Sequence, residues 1–160
     1  MLMKRSVLSV LVENESGVLA RISGLFSRRG YNIESLTVGP SEQEGLSRMI
    51  IVTKDDVEQV KKQLNKLINV IKITDLSELP YVDRELALIK VSSKQNRAEI
   101  IEIADLFRSR IIDVAEDSLI VEVTGDTEKI NAVIQLLTPF GVKEVARTGS
   151  IAILRGKKFS

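Results

Sequence analysis

The 160-residue chain contains neither cysteine nor histidine. Without thiols there is no disulfide, no thiolate nucleophile and no Cys/His zinc site, and without imidazole the commonest general base at neutral pH is missing. Tryptophan is absent too, and only four Phe and two Tyr are present, so aliphatic side chains must build the core. Charge is nearly balanced, with 23 Lys and Arg against 22 Asp and Glu and no basic block. No nucleic acid and no anionic membrane surface is therefore expected as a partner. No apolar run approaches the ~20 residues of a membrane-spanning helix. The start, Met1-Leu2-Met3-Lys4-Arg5, leads into a strand pattern rather than a signal peptide. A cytoplasmic location is expected.

The catalytic inventory is equally short. There is no phosphate-loop pattern, nucleophile elbow or metal cluster. The carboxylate pairs Asp55/Asp56, Glu116/Asp117 and Glu13/Glu15 sit in turns or at helix starts, without the apolar setting that raises a carboxyl pKa for acid–base work. No catalytic and no metal-binding residue is assigned.

What is present is a 44% hydrophobic chain, long enough for two small domains. Residues 6–12 read as a central strand, apolar on both faces. A helix over 17–29 follows, with Val18, Leu19, Ile22, Leu25 and Phe26 at helical spacing, Arg28 and Arg29 in its last turn and Gly30 as its stop. Strands at 32–39 and 47–53 flank the turn-rich segment 39–45, and Asp55 and Asp56 open a second helix bearing Val57, Val60, Leu64, Leu67 and Ile68. Residues 70–74 form the fourth strand. This is the β-α-β-β-α-β order of a ferredoxin-like unit, complete by residue 78.

The proline-containing segment 79–84 reads as a linker, and a second pass begins at 85. Its pattern is strand 86–92, helix 98–110, strand 111–114, a tight turn at 116–117, strand 119–124, a helix entered through Gly125-Asp126-Thr127, and one or two closing strands within 142–154. The tail 155–160 is expected to fray. The fold class is thus α+β, two ferredoxin-like domains at 1–78 and 85–160, repeated in architecture and not in residue identity.

One stretch carries chemistry. Ser16 suits a helix N-cap, and the Gly17 and Val18 amides then stand at the positive end of the helix dipole, where a carboxylate is stabilised. Asn14 lies two residues earlier, and Asn32, beside Ile33, follows the helix exit. The order of elements suggests that both asparagines share one end of the sheet, next to the unfilled amides. Amides for a carboxylate and amide oxygens for an ammonium make a pocket for a free α-amino acid. The same residues also suit an ordinary strand-to-helix turn. Gly24, inside the helix, implies close approach by a second copy or by the underlying sheet. Arg28 and Arg29 read as a solvated helix end.

The stretches 8–19, 24–38 and 46–49, in particular Asn14-Glu15-Ser16-Gly17-Val18-Leu19 and Arg28-Arg29-Gly30-Tyr31-Asn32-Ile33-Glu34-Ser35-Leu36, resemble the small, regulatory subunits of acetolactate synthase. The likeness extends through 83–86, 111–114 and 144–149. The resemblance implies that the first half is an ACT domain, which pairs with a second copy and holds valine or another branched-chain amino acid between the two. Asn14, Gly17 and Asn32 match ligand-contacting positions of the family, and Ser16, Val18 and Ile33 complete the candidate set. It also implies a homodimer or higher oligomer and a large catalytic partner that carries thiamine diphosphate, magnesium and flavin, with no cofactor in this chain. A stand-alone amino-acid sensor, or a regulator of another enzyme, would satisfy the same ligand chemistry. An enzymatic alternative comes from the acylphosphatases, which share the element order and a Gly-Val-x-x-Arg turn. Gly17-Val18-Leu19-Ala20-Arg21 fits that spacing, but the flanking glycine is missing and the pattern merges into a long helix.

Overall fold

The computed structural model describes residues 4–157, so the first three residues and the end of the tail lie outside the described part. Two compact units are present, one running to Val82 and rejoined by the segment from Ser150, the other Asp83–Gly149.

In the first unit β1 (Ser6–Glu13), α1 (Val18–Arg29), β2 (Ile33–Pro40), β3 (Leu46–Thr53), α2 (Val57–Asn65) and β4 (Val70–Asp75) follow in order. The sheet runs β2-β3-β1-β4 with antiparallel neighbours throughout. Leu8, Val10 and Val12 of β1 pack with Val18, Ile22, Leu25, Phe26, Val60 and Leu64 of the helices. Each such buried aliphatic side chain contributes about 1.5–3 kcal/mol. On the opposite face Val7 joins Ile50, Val52, Leu76 and Ala152 in a second cluster. Two-sided burial accounts for apolar residues on both faces of β1, with Ser9 the polar exception in its middle. The stripe expected for α2 ends early: the helix stops at Asn65, Leu67 still packs on the core, and Ile68 is 87% exposed.

The second unit comprises most of β5 (Tyr81–Ser92), then α3 (Arg97–Leu106), β6 (Arg110–Val114), β7 (Ser118–Gly125), α4 (Thr127–Gly141) and β8 (Val142–Arg147). Its order β6-β7-β5-β8 repeats the permutation of the first sheet. Helix α3 falls short of the expected residue 110 because Arg108 turns to a left-handed φ of 54° and Arg110 already belongs to β6. Glu85, buried, receives Arg147 Nε and Nη2 at 2.5 and 3.2 Å, while Arg147 Nη1 donates to Asn131 Oδ1 at 2.8 Å.

The domain limits differ from the expected ones at two places. Strand β5 begins at Tyr81, inside the segment read as a linker. The final strand β9 (Ile151–Leu154) pairs with β5, and the segment from Ser150 is grouped with the first unit. Ala152 fills the apolar cluster around Val7, Ile50 and Val52, Ser150 N–H donates to Ser35 Oγ at 3.1 Å, and Arg155 N–H donates to the Pro80 carbonyl at 2.9 Å.

Candidate functional site

The turn between β1 and α1 is built around a backbone reversal. Gly17 takes φ 87°, a left-handed conformation that suits glycine, and it, not Ser16, is the N-cap; no side chain caps the helix. Ser16 is exposed at the turn. Val18 turns its side chain into the core, and its N–H reaches only the Glu15 carbonyl, at 3.4 Å. The first helical bond runs from Arg21 N–H to the Gly17 carbonyl, and among the described residues the Gly17, Leu19 and Ala20 amides have no partner. Of the four helices in the described residues, α1 alone lacks both a side-chain cap and an acidic residue in its first turn. Its dipole end is not neutralised from within the chain.

Neighbouring backbone holds this turn in place. Asn14 N–H donates to the Gly45 carbonyl at 2.8 Å and Glu13 N–H to the carbonyl of buried Asn69 at 2.9 Å. Arg21 Nη1 reaches Asn69 Oδ1 at 2.6 Å, which ties α1 to the start of β4. That guanidinium is spent on a structural contact and α1 is helical from Val18, so no acylphosphatase-like anion loop forms here. The Asn14 side-chain amide makes no hydrogen bond among the described residues.

Asn32 is organised differently. Its N–H donates to Asp55 Oδ2 at 2.7 Å and its carbonyl accepts from Thr53 Oγ1 at 3.3 Å, while its side-chain amide is exposed and unbonded among the described residues. Asp55, read from sequence as part of a helix start, is a brace for Asn32, and Asp56 alone caps α2 by accepting from Glu58 and Gln59 N–H. Ile33 packs against the core of the first unit.

The expectation that Asn14 and Asn32 share one end of the sheet is corrected by the registers. Glu13 pairs with Leu46, whereas Ile33 pairs with Thr53. Those positions lie at opposite ends of β3, about 23 Å apart at ~3.3 Å per residue. The reason is direction: β1 and β2 are both antiparallel to β3 and so parallel to each other, which puts the end of β1 and the start of β2 at opposite ends of the sheet. At Gly24 the underlying sheet does not approach, since the group nearest to a β-carbon there is Arg28 Nη1 at 3.2 Å, the flexible end of a side chain on its own helix.

Among the described residues no cluster of three or more His, Cys, Asp or Glu forms a metal site, and no helix is long and apolar enough to cross a membrane. Residues 8–72 match the family described as the AHAS small subunit-like ACT domain, and residues 84–156 match that described as the small subunit of acetolactate synthase. The chain is 54% identical to the probable acetolactate synthase small subunit of Archaeoglobus fulgidus, covering 96% of this chain and 99% of that protein. It is 52% identical to the acetolactate synthase small subunit of Bacillus subtilis, covering 96% and 92%. The crystal structure of the small subunit from Thermotoga maritima superposes with a TM-score of 0.89 at 43% identity, over 97% of this chain and 99% of that one. With both halves matched and these relatives covered over at least 92% of their length, the chain belongs to the acetolactate synthase small-subunit family, its first half an ACT domain.

Proposed function

We propose that this non-catalytic small subunit binds a branched-chain amino acid, valine first, between two copies of its ACT domain, and so sets the activity of a large catalytic subunit. The observation that carries the reading is the pairing of an unneutralised α1 N-terminus beside Asn14 with an equally unengaged Asn32 that the same chain holds at the far end of the sheet. A carboxylate suits the Gly17, Leu19 and Ala20 amides, and the two asparagine oxygens suit an ammonium. One chain supplies only half of this set.

Strand β2 is an edge of the sheet, and among the described residues its backbone ladder is made with β3. Pairing β2 with its own copy across a two-fold axis sets the strands antiparallel, so the Ile33 end of one meets the Pro40 end of the other. Pro40 pairs with Ser47, next to the Leu46–Glu13 pair, and therefore lies at the Asn14 end. Such a dimer brings the partner's Asn32 to the Gly17 turn. Thiamine diphosphate, magnesium and flavin belong in this reading to the catalytic partner, in the cytoplasm.

Co-assembly of two defective variants tests the arrangement. Asn14→Ala and Asn32→Ala alone should each weaken valine inhibition of the reconstituted holoenzyme by about tenfold to hundredfold, the loss of one charge-assisted contact. In a mixed dimer one site carries both lesions and the other carries none. Co-expressed variants should therefore recover tight binding at about a quarter of sites. Absence of recovery in verified mixed dimers would mean that both asparagines serve one chain, or neither serves the ligand.

A further inference from the structure

The ACT sheet has a second face, turned away from α1 and α2, and it holds a cavity of about 410 Å³. Its polar end is built by Ser9 of β1, Thr74 of β4 and Arg48 of β3. Ser9 and Thr74 are direct register partners, and Ser9 is almost fully buried. Arg48 Nη1 donates to Ser9 Oγ at 3.1 Å, while Nη2 reaches the Glu42 carboxylate at 3.1 and 3.4 Å. The rest of the lining is aliphatic: Leu76, Ala152, Ile153 and Leu154.

Nothing in the amino-acid-sensing turn uses these groups. A serine buried in the middle of a central strand and hydrogen-bonded to a guanidinium brings a hydroxyl and a cation together on the wall of this cavity. Glu42 shows what the guanidinium donates to: a carboxylate. Its carboxylate comes from the exposed turn between β2 and β3, its side chain is 67% exposed, and such surface pairs exchange readily with solvent. Arg48 thus holds a carboxylate that competes weakly, and a guanidinium has five donors to offer.

We propose that this cavity is a binding site for a short aliphatic carboxylate, whose head displaces Glu42 from Arg48 and bonds the Ser9 and Thr74 hydroxyls while its branched tail lies on Leu76, Ala152 and Leu154. The charge inventory selects an acid without an α-ammonium: the carboxylate that lines the cavity is Glu42, at the solvent rim, where a pair with an ammonium is screened. The site is separate from the Gly17 turn and does not depend on how that turn is used.

Isovalerate is the probe, with valine as its counterpart bearing an added α-ammonium, and binding to the full chain is followed by amide chemical shifts of Ser9, Arg48, Thr74 and Ala152. Isovalerate should give saturable shifts at these residues and should keep them in Gly17→Asp. Glu42→Gln removes the internal competitor and should tighten isovalerate about two- to fivefold, whereas Arg48→Met should weaken it at least about tenfold. Valine should not shift this set in Gly17→Asp. Ser9→Ala, a smaller change at the buried end, keeps the test open if Arg48→Met does not fold, and it too should weaken isovalerate. The proposal is overturned by the absence of saturable shifts in both wild type and Glu42→Gln, by their loss in Gly17→Asp, by weaker binding in Glu42→Gln, or by valine shifting this set as strongly as isovalerate.

Discussion

At Gly17 two demands meet on one residue. The φ of 87° needs a glycine-like backbone, and the proposed function asks that the amide stay open to a ligand. A β-carbon at this position meets nothing within 4 Å, so any substitution acts through backbone conformation and charge and not through a clash. Asp is among the residues that tolerate the left-handed region best, and negative charge at a helix start is itself favourable. We therefore expect Gly17→Asp to fold with a stability loss of about 1 kcal/mol, while valine inhibition of the reconstituted enzyme weakens by about tenfold to hundredfold and the valine-free rate is kept. Gly17→Asn separates the causes, since it shares the left-handed tolerance and shape of Asp and carries no charge. If thermal denaturation drops equally in the two variants but only Asp abolishes inhibition, repulsion of a ligand carboxylate is the cause. Normal inhibition in Gly17→Asp would place the carboxylate elsewhere. The Glu42 carboxyl is held below its ordinary value, first by a backbone hydrogen bond and then by Arg48. Its contribution is present above the unfolded pKa and fades as pH falls through the lowered folded value. Because the Glu42 side chain is largely exposed, solvent screening keeps that contribution small.

Among the elements, β2 bears most on assembly. It is an edge strand, and Val38 is 44% exposed on it, so a change there costs the isolated fold little. A charge placed on an edge that must pair with its own copy meets the same charge nearby across the two-fold axis. Val38→Lys should shift the chain toward monomer in sedimentation at micromolar concentration and weaken valine inhibition in the same step. A dimer with intact inhibition would remove β2 from the interface. Helix α1 adds a contrast between its ends. The Gly30 stop, with φ 69° and its N–H on the Phe26 and Ser27 carbonyls, was legible from the sequence. The start was misread by one residue because the special backbone angle, and not a hydroxyl, makes the cap.

For the whole molecule the family places catalysis in another chain. Neither imidazole nor thiol is present, and among the described residues no metal cluster forms. The purified chain should show no pyruvate condensation, and its addition should raise the rate of the large subunit. Turnover by the small subunit alone, at a rate above buffer, would end that reading.

Periodicity in the sequence determined the order of elements in both halves, because burial of an aliphatic stripe at helical or strand spacing is a local property of consecutive residues. It also determined what chemistry is excluded, and it located the Asn14–Gly17 turn and Asn32. Relations between distant positions were decided only by tertiary structure. Asn14 and Asn32 separate because strand direction and register, neither written in either strand alone, put them at opposite ends of β3. Glu85 finds Arg147 across 62 residues, and Ala152 packs beside Val7 on the far face of the ACT sheet. Such pairings rest on non-local contacts whose partners no spacing rule connects, and they give the first domain both its second apolar cluster and the Arg48 cavity.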